Sequence, residues 1–347
     1  MNDPYDFLIV GQGLAGSALA MALLRRGKSV VVIDRQDTSG ASRVAAGLVT
    51  TLAGKGMNPA WRQERYLPEA LEYYRALERK HGTQLFYPLP VLRLFTDERE
   101  QQKFARKIGQ VDRWVGGSEP DIDKNVLWAD AGGFEMAGGG RLDTVEYLEV
   151  VRKEIEAAGR YIEADFDASS LVVGEGVVEW EGIQAGSAIL CQGYVGLAEG
   201  PFAWIDHRSA KGEMLSVKVE PLDASRILNR NGWMVPIGEG VWRAGATYGW
   251  DDLSVDATDE GRAEVESKVR SLIKCPYTVC GHEVGIRPII QRSQPVVGLS
   301  PESPQLGFFN GLGSKGVITA PSVGEHFAGF LCGEWELDVA LSIERLR

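Results

Sequence analysis

The opening of this chain leaves few architectures open to it. Residues 5–10 (YDFLIV) form a short apolar run, and Gly11-Gln-Gly13-Leu-Ala-Gly16 follows without a gap. A segment of small apolar residues over 14–26 reads as a helix, with Gly27 placed to cap its C-terminus. A second apolar run over 29–33 ends in Asp34, an acid 18 positions after the third glycine. Strand, glycine turn, helix and strand in this order predict a βαβ unit. Gly11 permits the tight turn, Gly13 lets the backbone approach a pyrophosphate, and Gly16 lets the helix lie on the strand. N–H groups at the helix start attract phosphates. A carboxylate at position 34 is placed to accept hydrogen bonds from both ribose hydroxyls of an adenosine. The unit points to a dinucleotide; the alternative is a glycine turn in an ordinary βαβ unit that binds nothing.

The rest of the chain narrows the class. Its 347 residues are 44% hydrophobic, enough for a sizeable core and for two lobes. A formal net charge of −11, with no Lys/Arg run, argues against nucleic acid as a partner. Small anionic substrates stay open, because a local arginine outweighs global charge. The cysteines at 191, 275, 280 and 332 form no CxxC pair, and the histidines at 81, 207, 282 and 326 are scattered. No spacing suggests zinc or another metal. The expectation is a reduced, cytoplasmic protein with no signal peptide and no membrane span. Its oligomeric state is not legible.

Further along, residues 37–58 are small and glycine-rich, which suits a loop beside a ligand. Helical spacing recurs over 61–80, 97–109, 142–158 and 259–273, and residues 85–95 read as strand. Glycines at 132–133 and 138–140 mark a loop or crossing point. Short strands are expected over 161–190, and a β-rich block with alternating pattern over 211–247. Near the end, residues 308–316 (FFNGLGSKG) repeat the strand and glycine-turn arrangement before a helix expected over 320–332. A second helix start is thereby offered to another part of a ligand. If that ligand is a flavin, free backbone donors there would stabilise the negative charge of its reduced form. A helix N-terminal loop without a ligand is the alternative.

These pieces, in this order, resemble the D-amino-acid oxidase superfamily of FAD enzymes, and within it glycine oxidase most. The resemblance covers nearly the full length. It rests on GQGLAG with Asp34, on 42–48 (SRVAAGL) and on 142–148 after the glycine run. It continues through 211–215 (KGEML), 234–236 (MVP), 243–247 (RAGAT), 285–288 (GIRP), 295–298 (PVVG) and 311–321. It implies an α/β (α+β) fold, a Rossmann-type FAD-binding domain interleaved with an antiparallel-sheet substrate domain. The expected FAD-binding parts are 1–84, 140–205 and 282–347, and the substrate parts 85–139 and 206–281.

By position, the resemblance implies that Gly11, Gly13, Leu14, Ala15, Gly16, Asp34 and Arg35 hold the ADP half of FAD. Ser42, Ala46, Gly47 and Leu48 would lie along the pyrophosphate and flavin, with Gln192 and Gly193 also against the cofactor. Gly313, Ser314, Lys315 and Gly316 would face the flavin C2 side. Arg287 matches an arginine that grips a substrate carboxylate, and Trp233 an aromatic wall of the pocket. Asp34 stands where glutamate is more usual, and Cys191-Gln192 replaces a pair of smaller or hydroxyl residues. Trp233 replaces a tyrosine, and Ser314-Lys315 a more elaborate arginine-containing loop; these two bear on the substrate. No cysteine occupies the position of covalent flavin attachment in sarcosine-oxidase-like members, so dissociable FAD is expected.

Residue chemistry is compatible. Arg287 is a guanidinium in an apolar segment (VGIRPII), costly to bury without a partner. Its planar fork suits a carboxylate, and a structural pair with Asp or Glu is the alternative. Trp233 could equally be a core aromatic. Arg243 reads as solvent-facing, a second anion contact being the alternative; Lys55 and His282 read as structural or surface. The implied activity is oxidation of the C–N bond of a small amine or amino acid by hydride transfer to flavin N5, with hydrolysis of the imine. The alternatives are a dehydrogenase with a non-oxygen acceptor, a flavin-dependent tRNA-modification enzyme, and a flavin-binding protein without catalysis.

Overall fold

The computed structural model describes residues 4–347; residues 1–3 of the expected FAD-binding part lie outside it. The first strand, Tyr5–Val10, alternates between two cores. Phe7 and Ile9 pack with the helices on one face, and Leu8 and Val10 with Phe202, Phe308 and Trp180 on the other. The next strand, Val30–Asp34, does the same with Val30 and Val32 against Val31 and Ile33. Both faces are covered, which is why these strands are apolar throughout rather than alternating. Each fully buried aliphatic side chain there contributes about 1.5–3 kcal/mol.

Parallel pairing builds the centre of this sheet. Tyr5–Val10 lies between Val30–Asp34 and Ile183–Leu190, which in turn pairs with Leu306–Asn310. In register, Val10 faces Ile33 and Leu190, and Leu190 faces Phe308. The loops after these strands therefore open side by side at the carboxyl edge, where α/β sheets bind ligands. Arg160–Glu163 extends one side, and a hairpin of Leu171–Val173 and Val178–Trp180 joins the other.

A second eight-stranded sheet runs, in spatial order, through residues 278–287, 210–218, 241–245, 232–238, 227–230, 91–94, 133–136 and 115–117. It is antiparallel except where Ile227–Arg230 pairs with Val91–Leu94. The helix Asp259–Leu272 covers it, burying Val265, Val269 and Leu272 against Leu215, Met234 and Trp242. Three short strands, Leu48–Val49, Phe86–Pro88 and Gly140–Leu142, form a separate sheet.

The helix expected over 14–26 is Leu14–Arg25. Gly27 takes a φ of 72°, its N–H bonds Leu24 O at 3.0 Å, and Lys28 N–H bonds Leu23 O at 3.2 Å, closing the end as a Schellman cap. Helices at Gln63–His81, Glu98–Val111 and Thr144–Ala158 match the expected periodicities to within a few residues. Four segments differ. Residues 85–95 are not one strand: Pro90 interrupts them, and Phe86–Pro88 and Val91–Leu94 join different sheets. The loops at 37–58 and 132–140 carry regular pieces, the short helix Ala41–Val44 and the strand Gly133–Met136 among them. The last helix starts four residues earlier than expected, at Gly316, and runs to Leu331 with Pro321 inside it. Proline cannot donate to the carbonyl of Val317, and the Tyr74 hydroxyl takes that carbonyl instead at 2.6 Å.

Candidate active site

The first and last helices pack on each other through small residues. A Cβ on Gly324 would stand 2.9 Å from the backbone of Ala18, and one on Gly316 would stand 2.9 Å from Leu14 Cδ1. Their N-terminal ends therefore meet. In the first helix the ladder begins with Ser17 N–H to Gly13 O at 2.9 Å, leaving the N–H groups of Leu14, Ala15 and Gly16 ahead of it. Ser42 Oγ accepts from Leu14 N–H at 3.0 Å. In the last helix, Ile318 and Thr319 N–H both bond Lys315 O at 3.1 Å, leaving those of Gly316 and Val317 ahead. Two helix starts, each with a positive dipole end, face one space.

That space is a cavity of about 1070 Å³, lined from Asp34 and Arg35 at one end to Trp233 and Arg287 at the other. It exceeds the roughly 300–1,000 Å³ of ordinary small-ligand sites. The lining includes Gly11, Gly13, Leu14, Ala15, Ser42, Ala46, Gly47, Leu48, Gln192, Gly193, Gly313, Ser314, Lys315 and Gly316. Gly16 alone of the expected positions stands behind the wall. A Cβ there would sit 1.9 Å from Gly11 O, so its glycine is required by helix-on-strand packing.

The asymmetry of the two ends is chemical. Asp34 is held by backbone: Oδ2 accepts from Gln12 N–H and Oδ1 from Gln36 N–H, both at 2.7 Å. The Tyr161 hydroxyl also donates to Oδ1, at 3.4 Å, so Oδ2, with one partner, is the oxygen with a lone pair left for a ligand hydroxyl. Midway, Asn310 is buried and donates from Nδ2 to Gly193 O at 2.7 Å, tying the 192–193 loop to the last strand. Gly313 N–H bonds Pro288 O at 3.1 Å and fixes the second glycine turn beside Arg287.

Arg287 pairs with no carboxylate among the described residues. Nη1 donates to Thr247 O at 3.1 Å, and the guanidinium carbon lies 4.3 Å from the Tyr248 ring centroid. Burial pushes its pKa down. Lys315 is likewise without a carboxylate among the described residues; Nζ contacts Thr50 Oγ1 at 3.2 Å, and burial lowers its pKa. Trp233 packs against Gly245 and Met214, where a Cβ on Gly245 would stand 2.7 Å from the indole. It touches a small apolar cluster of Val44, Ala46, Met214 and Ala246 while lining the cavity.

Three other readings are settled by packing. Arg243 does not face solvent: Nη1 donates to Val44 O, and Nη2 lies 3.6 Å from Glu283 Oε1, because the strand Val241–Gly245 abuts the 41–46 segment. His282 Nε2 bonds the buried Glu213 at 2.8 Å, and Glu213 also accepts from Thr258 N–H at 2.9 Å, a structural knot. Lys55 is exposed on the cavity rim, where its carbonyl accepts from Lys103 Nζ at 2.6 Å. Sequence reasoning missed Thr50, Tyr248, Asn310 and Gly212. Asn310 carried a signal, a lone amide within the apolar run LGFFN; the others carried none.

A family model described as "DAO: FAD dependent oxidoreductase" matches residues 6–329. The chain belongs to this family. FAD is accordingly its cofactor, and the glycine cradle, the two helix starts and Asp34 fit it. Among solved structures, this oxidoreductase superposes on iminodiacetate oxidase from Chelativorans sp. BNC1 with a TM-score of 0.81, at 22% identity, covering 97% of this chain and 98% of that one. For glycine oxidase from Geobacillus kaustophilus the TM-score is 0.79 at 19% identity, with 99% of both chains covered. At such identities the likeness speaks for the fold. Among curated relatives, the tRNA 5-methylaminomethyl-2-thiouridine biosynthesis bifunctional protein MnmC of Maricaulis maris is 29% identical over 94% of this chain and 52% of its own length. The MnmC protein of Aeromonas hydrophila is 24% identical over 95% of this chain and 56% of its own. The chain thus spans about half the length of those two relatives. The uncharacterized oxidoreductase YurR of Bacillus subtilis is 25% identical over 96% of this chain and 97% of its own length. No helix among the described residues is long and apolar enough to cross a membrane.

Proposed function

We propose that this oxidoreductase oxidises the C–N bond of a small amino acid, with Arg287 binding the substrate carboxylate. One observation carries the reading: a guanidinium lines the FAD cavity and meets no carboxylate among the described residues. Burying such a charge costs stability, and a substrate carboxylate supplies the missing partner. FAD, held in this cavity, would supply the two-electron acceptor for the hydride lost from the substrate α-carbon, and water would hydrolyse the imine product.

The chain's own residues have the remaining tasks. The N–H groups at the first helix start, with Ser42, hold the pyrophosphate, and Asp34 and Arg35 hold the adenosine end. Ala46, Gly47, Leu48, Gln192 and Gly193 pack along the cofactor without a covalent bond to it. The turn at 313–316 and Lys315 stabilise negative charge on the flavin's C2 side. Trp233 walls the pocket and orients the substrate. No histidine among the described residues lines the cavity; in this reading the amine binds neutral, its proton shed to solvent. We assign 1–84, 140–205 and 282–347 to FAD and the rest to substrate, with the strand Thr278–Arg287 running from one part into the other.

Anaerobic bleaching of the yellow protein by a panel of amino acids and amines tests the reading; an unbleached flavin with every member refutes it. Slow reoxidation by air would point to a different acceptor. The MnmC relatives, which match nearly the whole of this chain, favour a second reading in which the amine sits on a tRNA base. The charge of −11 argues against it, and a salt-dependent tRNA shift would favour it.

A further inference from the structure

We infer that Tyr248 and Gly212 together form a holder that fixes the plane of the Arg287 guanidinium, making Tyr248 a positioning residue for carboxylate recognition. The inference rests on the reading of Arg287 given above.

Strand register brings the parts together. Ala210 lies opposite Arg287, so Gly212 is its diagonal neighbour on the adjacent strand. The Arg287 side chain folds across Gly212. A Cβ on that glycine would stand 2.2 Å from Nη2 and 2.4 Å from Cζ and Nη1. Only a residue without a side chain lets the guanidinium lie there. The Tyr248 ring also lies against it, with 4.3 Å from the guanidinium carbon to the centroid. Thr247 O takes Nη1 at 3.1 Å. The glycine backbone and the tyrosine ring thus both lie against the guanidinium, one donor is taken by Thr247 O, and the remaining N–H donors are left for a ligand.

Tyr248 is itself locked in place. Gly249 and Lys211 exchange backbone hydrogen bonds at 2.8 and 3.0 Å, and Thr247 N–H bonds Glu213 O at 3.1 Å. Beyond it, Lys211 Nζ bonds Asp252 at 2.5 Å and Ser254 at 3.1 Å, pinning the segment that follows. Tyr248 is 45% exposed, so its burial adds little to the core, and its hydroxyl has no hydrogen-bond partner among the described residues. Beyond a tilted contact with the Trp250 ring, 6.0 Å between centroids, the ring's neighbour is the Arg287 guanidinium. A planar cation held against a ring and a glycine backbone loses little entropy when a carboxylate docks, which is how stacking converts into affinity.

The test uses the FAD-loaded protein and propionate as a non-oxidisable carboxylate probe, followed by perturbation of the flavin absorbance. Kinetics are measured with an amino acid that bleaches the flavin and with an amine lacking a carboxylate. Tyr248→Phe keeps the ring and should bind propionate within about twofold of wild type. Tyr248→Leu should weaken binding by roughly five- to thirtyfold, raise the amino-acid KM by the same factor, and change the amine's KM by a clearly smaller factor. Gly212→Ala, whose new methyl displaces the guanidinium, should reproduce that pattern. Unchanged propionate binding in Tyr248→Leu overturns the inference, as does an equal loss for both substrates. Arg287→Ala separates the two levels. If it loses propionate while Tyr248→Leu does not, only the holder fails; if neither it nor wild type discriminates carboxylates, the reading of Arg287 fails as well.

Discussion

Replacing Arg287 by Ala asks two questions of one residue, and the structure assigns answers of very different size. For folding, the loss is small. No carboxylate among the described residues is orphaned; only the Thr247 carbonyl loses a donor and Tyr248 its stacking partner. A neutral hydrogen bond is worth about 0.5–1.5 kcal/mol net, and removing a buried cation recovers part of its desolvation cost. The unfolding midpoint in urea should therefore move by less than about 1 kcal/mol equivalent, and Arg287→Met should match or exceed wild type. For a carboxylate substrate the loss is large. Two charge-assisted contacts in a water-poor site are worth about 2–5 kcal/mol, which is roughly thirty- to several-thousandfold in kcat/KM. Arg287→Lys should recover only part, since an ammonium lacks the fork. Stopped-flow flavin reduction with an amino acid and with an amine lacking the carboxylate gives the comparison, and released FAD absorbance gives occupancy. Loss of several kcal/mol of stability, or of FAD, would show that Arg287 is structural. Equal rates for the carboxylate-bearing substrate in variant and wild type would refute the amino-acid reading.

Other outcomes follow from the same geometry. Gly47→Ala places a Cβ 1.8 Å from Leu142 O at a φ of 65°, so it should destabilise strongly and empty the protein of FAD, read by thermal melting and bound-flavin absorbance. Lys315→Met should lower the potential of bound flavin in a dye-linked titration, by about 30 mV for every 1.4 kcal/mol of charge stabilisation removed from the two-electron couple. An unchanged potential would leave backbone donors alone in that role. Tyr74→Phe removes the hydroxyl from Val317 O and should cost about 1–2 kcal/mol while weakening FAD, because that carbonyl lies in the first turn of the last helix. Burial raises the phenol of Tyr73 to about 12 and those of Tyr74 and Tyr147 well above the usual 10. The folded state then holds protons that the unfolded chain releases. This stabilisation is complete below pH 10 and is lost as pH rises through about 12, visible as a falling urea midpoint in that window. A midpoint flat to pH 12 would contradict it.

How much of this was legible in the sequence depended on how far apart the cooperating residues stand. The cofactor cradle is local: Gly11, Gly13, Gly16 and Asp34 act within one strand, turn, helix and strand, and composition at those positions announces the geometry. Gly27 was equally readable as a cap. Pro90 was a plain strand breaker, yet the apolar run around it masked the interruption. The early start of the last helix was not legible: Pro321 lies inside it, and its missing donor is offset by Tyr74, a residue more than two hundred positions earlier that no local pattern connects to it. Arg243 was misjudged for a similar reason, since alternation along a strand does not reveal that the 41–46 segment packs over its exposed face.

The substrate end shows the limit most sharply. Arg287 could be singled out because a guanidinium in an apolar run needs an explanation. Its holder could not. Gly212 is one of 42 glycines and Tyr248 one of ten tyrosines. They become special only when Ala210–Lys218 pairs with Thr278–Arg287 in one register and Lys211 bridges to Gly249 in another. A slip of one residue would turn these side chains to the opposite face. Pocket chemistry in this sheet is therefore encoded in pairing register, whereas the cofactor chemistry is encoded in turns. Substitutions that alter substrate choice should accordingly concentrate at diagonal neighbours such as 210–212 and 247–249, and leave the glycine cradle at 11–16 untouched.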